Sequence, residues 1–175
     1  MTRRVMAPIS TAAERRLASE HWLLSAAPDS QQARVQWATY GVALLRCGGV
    51  FSAVRIPAGL VHEAAGTENR ADVAEFLAGA LDGGPVFYDA GGGQFYALTP
   101  ASTAGIWKLP EAECLGSDSF LGVPASDLTE PDPRCSAYWS VPMDGPAVLC
   151  VPATVARLVI VGRDLAAMRE NDGLE

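Results

Sequence analysis

Apolar and polar positions change period several times along this chain, and each change marks an element. Over 12–26 the apolar residues Leu17 and Leu24, with His21 between them, fall on one face of a helix. Thr11 and Glu14 just before it have the spacing of a capping box, in which each side chain satisfies a free end donor. Pro28-Asp29-Ser30 breaks that helix and can start a second one through Val35 and Trp37. Residues 41–46 read as a strand, with a helix end as the alternative, and Cys47-Gly48-Gly49 as a turn. The nearly continuous apolar run over 50–56 is that of a buried strand, ended by Pro57. A short helical piece over 60–65 follows. Val73, Phe76, Leu77 and Ala80 then mark one face of a helix over 70–81, stopped by Asp82-Gly83-Gly84.

The second half is dominated by short strands. Residues 85–88 and 94–98 flank Asp89–Gly93, where glycine tolerates positive φ. A loop with a helical turn is expected over 99–106, a partly extended stretch over 107–114, and strands over 120–123 and 137–141. The polar, proline-containing segment 125–134 reads as a surface loop and Asp144-Gly145-Pro146 as a turn. Pro152 suits the first turn of a last helix over 153–169, with Val155, Leu158, Val159, Leu165 and Met168 among its apolar positions.

The expected organisation is a flexible tail over 1–10 and one α+β domain over 11–170. That domain divides into an N-terminal helical segment (11–40), a mixed or antiparallel sheet core (41–150) and a C-terminal helix (152–170). The chain has 175 residues, 49% hydrophobic and 19% charged, which is material for one ordinary core. No apolar run approaches the roughly 18–20 residues that span a bilayer, and the first residues lack the apolar region of a secretory signal. A soluble, cytoplasmic protein without a membrane partner is expected.

Charge narrows the function. The formal net charge is −7. Segment 63–89 holds six acids against one arginine, and segment 111–144 seven against one. This disfavours a phosphate-backbone partner, which usually meets a basic face. Basic residues gather mainly at Arg3, Arg4, Arg15 and Arg16. Lys108 is the one lysine among 13 basic residues, a bias typical of a high-GC, for instance actinobacterial, genome. Cys47, Cys114, Cys135 and Cys150 form no CxxC pair and His21 and His62 stand alone, so no local zinc pattern is present. Glu111 and Glu113 would share one face of a strand as ordinary surface charge or as an acid/base or metal pair. Ser117-Asp118-Ser119 has no adjacent histidine and no GxSxG elbow. Trp22 and Trp37, on the front helices, are candidates for binding a protein partner or a second copy, together with the acidic loop 127–132.

The glycine run Gly91-Gly92-Gly93 fits a hairpin turn better than a phosphate cradle, because a strand rather than a helix follows it. GGGQFYALTP at 91–100, LGSDSFLGVPAS at 115–126 and YWSVP at 138–142 together resemble the archaeo-eukaryotic primase superfamily. More narrowly, they resemble the bifunctional DNA primase/polymerase N-terminal domain, over about 35–145. The resemblance implies a primase-polymerase-like fold with an RRM-like half. It also implies a nucleotide or ligand groove, with Ser52, Arg55, Gly91, Gly92, Gly93, Gln94, Tyr96 and Asp118 as candidates.

Family enzymes hold divalent metal with two acids, one residue apart, on an earlier strand. The corresponding run here is Phe51-Ser52-Ala53-Val54-Arg55, without a carboxylate. The family's nucleotide-binding histidine falls on Gln94 or Gly93, and Asp118 remains as an acid near the third strand. Metal-assisted phosphoryl transfer needs those carboxylates. The expectation is therefore a degenerate member that acts as a binding or accessory module, with no catalytic residue, no metal ligand and no cofactor. Mg²⁺ or Mn²⁺ would enter only with residual nucleotidyltransferase activity. The alternatives are a protein-interaction or regulatory module unrelated to nucleic acid, and an enzyme whose site forms only in the fold.

Overall fold

The structure, a computed structural model, describes residues 11–174. The expected tail over 1–10, with Arg3 and Arg4, lies outside the described residues. The architecture is α+β, and every strand pairing is antiparallel.

Two helices come first, α1 (Ala12–Leu24) and α2 (Ser30–Tyr40). The capping box forms as its spacing predicts: the Glu14 amide donates to Thr11 Oγ1 (3.1 Å), and the Thr11 amide to Glu14 Oε2 (2.6 Å). The buried face of α1 differs from the expected one. Leu17 and His21 point outward, while Ser19, Leu23 and Leu24 are buried. Ser19 can lie inside because its hydroxyl donates to the Arg15 carbonyl at 2.9 Å, so no polar group goes unpaired. In α2, Asp29 Oδ1 accepts the Gln31 and Gln32 amides, and Gly41 closes the helix at φ 74°.

The chain then alternates between two sheets. A two-stranded ribbon pairs β1 (Val42–Arg46) with β6 (Phe120–Pro124). A five-stranded sheet has the order β5 (Glu113–Leu115), β2 (Phe51–Pro57), β4 (Gln94–Pro100), β3 (Val86–Asp89), β7 (Ala137–Val141). The strands at 41–46 and 120–124 thus form a ribbon of their own within the 41–150 sheet core. β2 ends at Pro57, as the sequence predicts, with Pro57 its last paired residue opposite Gln94. The stretch 107–112 is irregular, and Trp107 donates its indole N–H to the Leu109 and Ala112 carbonyls.

The five-stranded sheet is covered on both faces, which is why β2 reads as a nearly continuous apolar run, interrupted at Ser52 and Arg55. On one face Phe51, Ala53, Phe87, Leu98 and Trp139 meet α1, α2 and the ribbon. On the other, Val54, Ile56, Val86, Phe95 and Ala97 meet α3 (Ala58–Ala65), α4 (Arg70–Ala80) and α5 (Pro152–Asp172). Tyr138 and Trp139 point to opposite faces and both are buried, as is Phe95.

Only the first half of α5 is buried, through Val155, Leu158, Val159 and Gly162. Leu165 and Met168, apolar positions of the same helix, are exposed (40% and 62%); the close approach to α3 is at Gly162, against the Leu60 carbonyl, and farther along the contact is the Glu63–Arg169 ion pair.

Two indoles fasten the ribbon. Trp37 Nε1 donates to the Val123 carbonyl at 2.9 Å and Trp139 Nε1 to the Pro124 carbonyl at 3.1 Å. Both acceptors lie on β6, one after the other. A further fastening joins the two crossings between ribbon and sheet, where Gly48, at φ 90°, lies directly against the Ser117 backbone.

Burial also sets the behaviour of the thiols. Cys150, whose Sγ donates to the Pro85 carbonyl at 3.4 Å, is pushed by burial from 9.0 up to about 12. Burial first, then the nearby Cys114, raises Cys47 to about 11, and burial alone raises Cys114 to about 11. A group whose folded pKa lies above its unfolded value gives stability that is fully present below the unfolded value and lost as pH rises through the folded one. The free energy of unfolding by urea is therefore expected to fall between pH 9 and 12. Tyr96 and Tyr138, also raised chiefly by burial, add the same sign. Cys150→Ala should flatten the slope of that decline; an unchanged slope would remove the thiol from the account.

Candidate functional site

One row of residues crosses the whole five-stranded sheet in register: Glu113, Arg55, Tyr96, Phe87 and Trp139, one from each strand. Directly opposed residues of antiparallel strands project to the same face, here the one shared with the ribbon. The row grades from apolar to charged. Trp139 meets Phe87 edge-on with centroids 5.4 Å apart, and Phe87 stacks on Tyr96 at 4.8 Å and 17°. At the open end Arg55 and Glu113 form an ion pair. Burial raises the Tyr96 phenol above its ordinary value; the adjacent Arg55 guanidinium opposes that shift, while Asp89 and Glu113 add to it.

The next row on that face contains Pro57, Gln94, Asp89 and Ala137. It ends at the β3–β4 hairpin, whose turn is the glycine run: Gly93 takes φ 64° and its carbonyl accepts the Ala58 amide at 2.9 Å. Asp89 organises this turn. Its Oδ1 accepts the Gly91 amide at 3.1 Å and the Ser136 hydroxyl at 2.7 Å. Between this part of the sheet and the ribbon lies a cleft of about 240 Å³. Phe87 and Tyr96 line it, with Val42, Leu121 and Gly122 of the ribbon across from them and Asp89 and Ser136 at its mouth.

The structure therefore brings Arg55, Gln94 and Tyr96 to one face, with Gly91, Gly92 and Gly93 at its end. Two other groove candidates lie elsewhere. Ser52 is fully buried on the opposite face, where its hydroxyl donates to the Ala101 carbonyl at 2.9 Å. Asp118 is exposed at φ 71° in the turn before β6, at the Phe51 end of β2, whereas the glycine turn sits at the Pro57 end.

Glu111 and Glu113 do not share a face. Glu111 belongs to irregular chain and pairs with Arg163 of α5. The two tryptophans on the front helices pack within the domain: Trp37 is buried, and Trp22 is half-buried with its ring 6.3 Å from that of Phe51. Asp89 and Ser136 were invisible as a pair, because nothing in the sequence sets β7 beside β3.

A wider cleft of about 400 Å³ opens between α1, α2 and the loop before β7. Its arginines Arg16, Arg34 and Arg134 are balanced by Glu20, Asp127 and the Asp132 partner of Arg134. Arg15 pairs with Asp144. The basic residues around 15–16 thus share their surroundings with carboxylates.

Among the described residues no three histidine, cysteine or carboxylate side chains come together in a way that could hold a metal ion. No helix among them is long and apolar enough to cross a membrane. Comparison of the chain with protein-family models, with curated proteins and with solved structures finds no match.

Proposed function

We propose that the chain is a primase-polymerase-like domain that has lost nucleotidyl transfer and works as a binding or accessory module. The observation that carries this reading is the place of Arg55. It stands in the centre strand pair of the polar half of the sheet face, ion-paired to Glu113 and beside Tyr96. Two-metal phosphoryl transfer needs carboxylates converging on ions about 3.5–4 Å apart. Here the Arg55 guanidinium pairs with Glu113 on β5, strands β2 and β4 lie between Glu113 and Asp89 on β3, and the two carboxylates do not converge. Of the segments that carry the sequence resemblance, the glycine hairpin leads into β4, which pairs with β2 at Arg55; the glycine-containing strand β6 lies in the ribbon, and the aromatic segment falls on β7.

Primer extension on a primed template with deoxynucleoside triphosphates and Mn²⁺ is expected to give no product. Product that disappears in Glu113→Gln would overturn the reading. Arg55→Asp sets a second carboxylate directly across the strand pair from Glu113, and this variant is expected to bind Mn²⁺ by electron paramagnetic resonance titration where the parent chain binds none. Equal Mn²⁺ binding by both would show that Arg55 is not what excludes the ion.

A further inference from the structure

We propose that the cleft between the five-stranded sheet and the ribbon binds a small organic cation, a guanidinium or primary ammonium group seated between the Asp89 carboxylate and the Phe87–Tyr96 rings. Asp89 is a prepared acceptor. Both hydrogen bonds that it receives, from Gly91 and Ser136, go to Oδ1 and use the two lone pairs of that oxygen. Oδ2 has no partner among the described residues, and the same two bonds fix the direction in which it points. The carboxylate is half-buried at the mouth of the cleft, where an ion pair is screened less than on an open surface.

The rest of the lining selects the sign and kind of ligand. No basic side chain lines the cleft. The Arg55 guanidinium, beside the Tyr96 phenol, is ion-paired with Glu113, which offsets its charge. The half-buried Tyr96 ring faces the cleft with the buried Phe87 ring stacked behind it, and an aromatic quadrupole attracts a cation within about 6 Å of the centroid. An anion would meet Asp89 with nothing to neutralise it. A neutral planar molecule could contact the rings but would leave the carboxylate without its counter-charge. The volume of about 240 Å³ suits a charged group with a short linker.

This inference rests on reading that sheet face as the ligand groove of the domain. The two ideas fail separately: primer extension tests lost catalysis without reference to Asp89, and cation binding is measured with no metal or nucleotide present.

The experiment is a titration of the full, ¹⁵N-labelled chain followed by amide shifts, with agmatine, n-butylammonium and the neutral N-methylurea as probes. Agmatine and butylammonium are expected to give saturating shifts at Gly91, Ser136 and Ala137, and N-methylurea none. Asp89→Asn keeps an oxygen to accept the Gly91 and Ser136 bonds and so preserves the turn; it should weaken agmatine binding roughly tenfold or more. Asp144→Asn, remote from the cleft and paired with Arg15, should leave agmatine binding unchanged. A blocked Ala-Arg-Ala peptide distinguishes the source of the cation: tighter binding than agmatine assigns it to a polypeptide side chain, weaker binding to a small molecule. Equal shifts with N-methylurea, undiminished binding in Asp89→Asn, or no saturating shift at millimolar agmatine would each overturn the proposal.

Discussion

Trp139→Ala should cost about 3–5 kcal/mol of stability, the range for removing a large, fully buried aromatic. The side chain is 2% exposed and ends the aromatic row against Phe87. Its loss removes packing from the face that α1, α2 and the ribbon cover. It also leaves the Pro124 carbonyl without its indole donor in a buried place. Trp139→Phe keeps one aromatic ring against Phe87 but removes the donor and part of the indole volume; its cost should stay at about 1–3 kcal/mol. Urea denaturation of both variants is the measurement. A loss below about 1 kcal/mol for Trp139→Ala, the middle of the range for ordinary substitutions, would mean that the aromatic row does not hold the layers together.

Gly48→Ala should be the next most damaging change, for two reasons that add. At φ 90° an L residue is strained by about 1–3 kcal/mol. A Cβ there would also lie 2.4 Å from the Ser117 amide nitrogen, so backbone must move, with a further cost of about 1–3 kcal/mol. Gly93→Ala is the internal control. It has φ 64° but open space where the Cβ would go, so it carries the strain without the clash. Thermal or urea denaturation should rank Gly48→Ala clearly below Gly93→Ala. Equal losses would show that the crossings near Gly48 and Ser117 can separate at no cost.

Local chemistry made much of this fold legible. The pair Thr11 and Glu14, the proline at 152 and the glycine run before Gln94 act within a few residues, so a cap, a helix start and a hairpin could be read directly. What escaped depends on distant partners. The burial of Trp37 is decided by a carbonyl at Val123, and the ribbon by pairing β1 with a strand beyond the entire hairpin. Ser19 replaced an apolar residue at the buried face because its own helix offered an acceptor, a substitution that a hydrophobic period does not register. For the site, the period of two already sets Ser52 and Arg55 on opposite faces of one strand. The neighbours of Arg55 could not be read, because neither β5 nor its order in the sheet is marked by a turn signal.

The ribbon has a consequence for the chain as it is made. Synthesis proceeds from the N-terminus, so β1 leaves the ribosome with one of its edges bare until β6 follows, after the whole β3–β4 hairpin. Its other edge is protected early, because Gln36 of the preceding helix accepts the Leu44 amide at 3.1 Å. A nascent strand half-shielded by its own upstream helix gives an aggregating neighbour one flank to attach to instead of two.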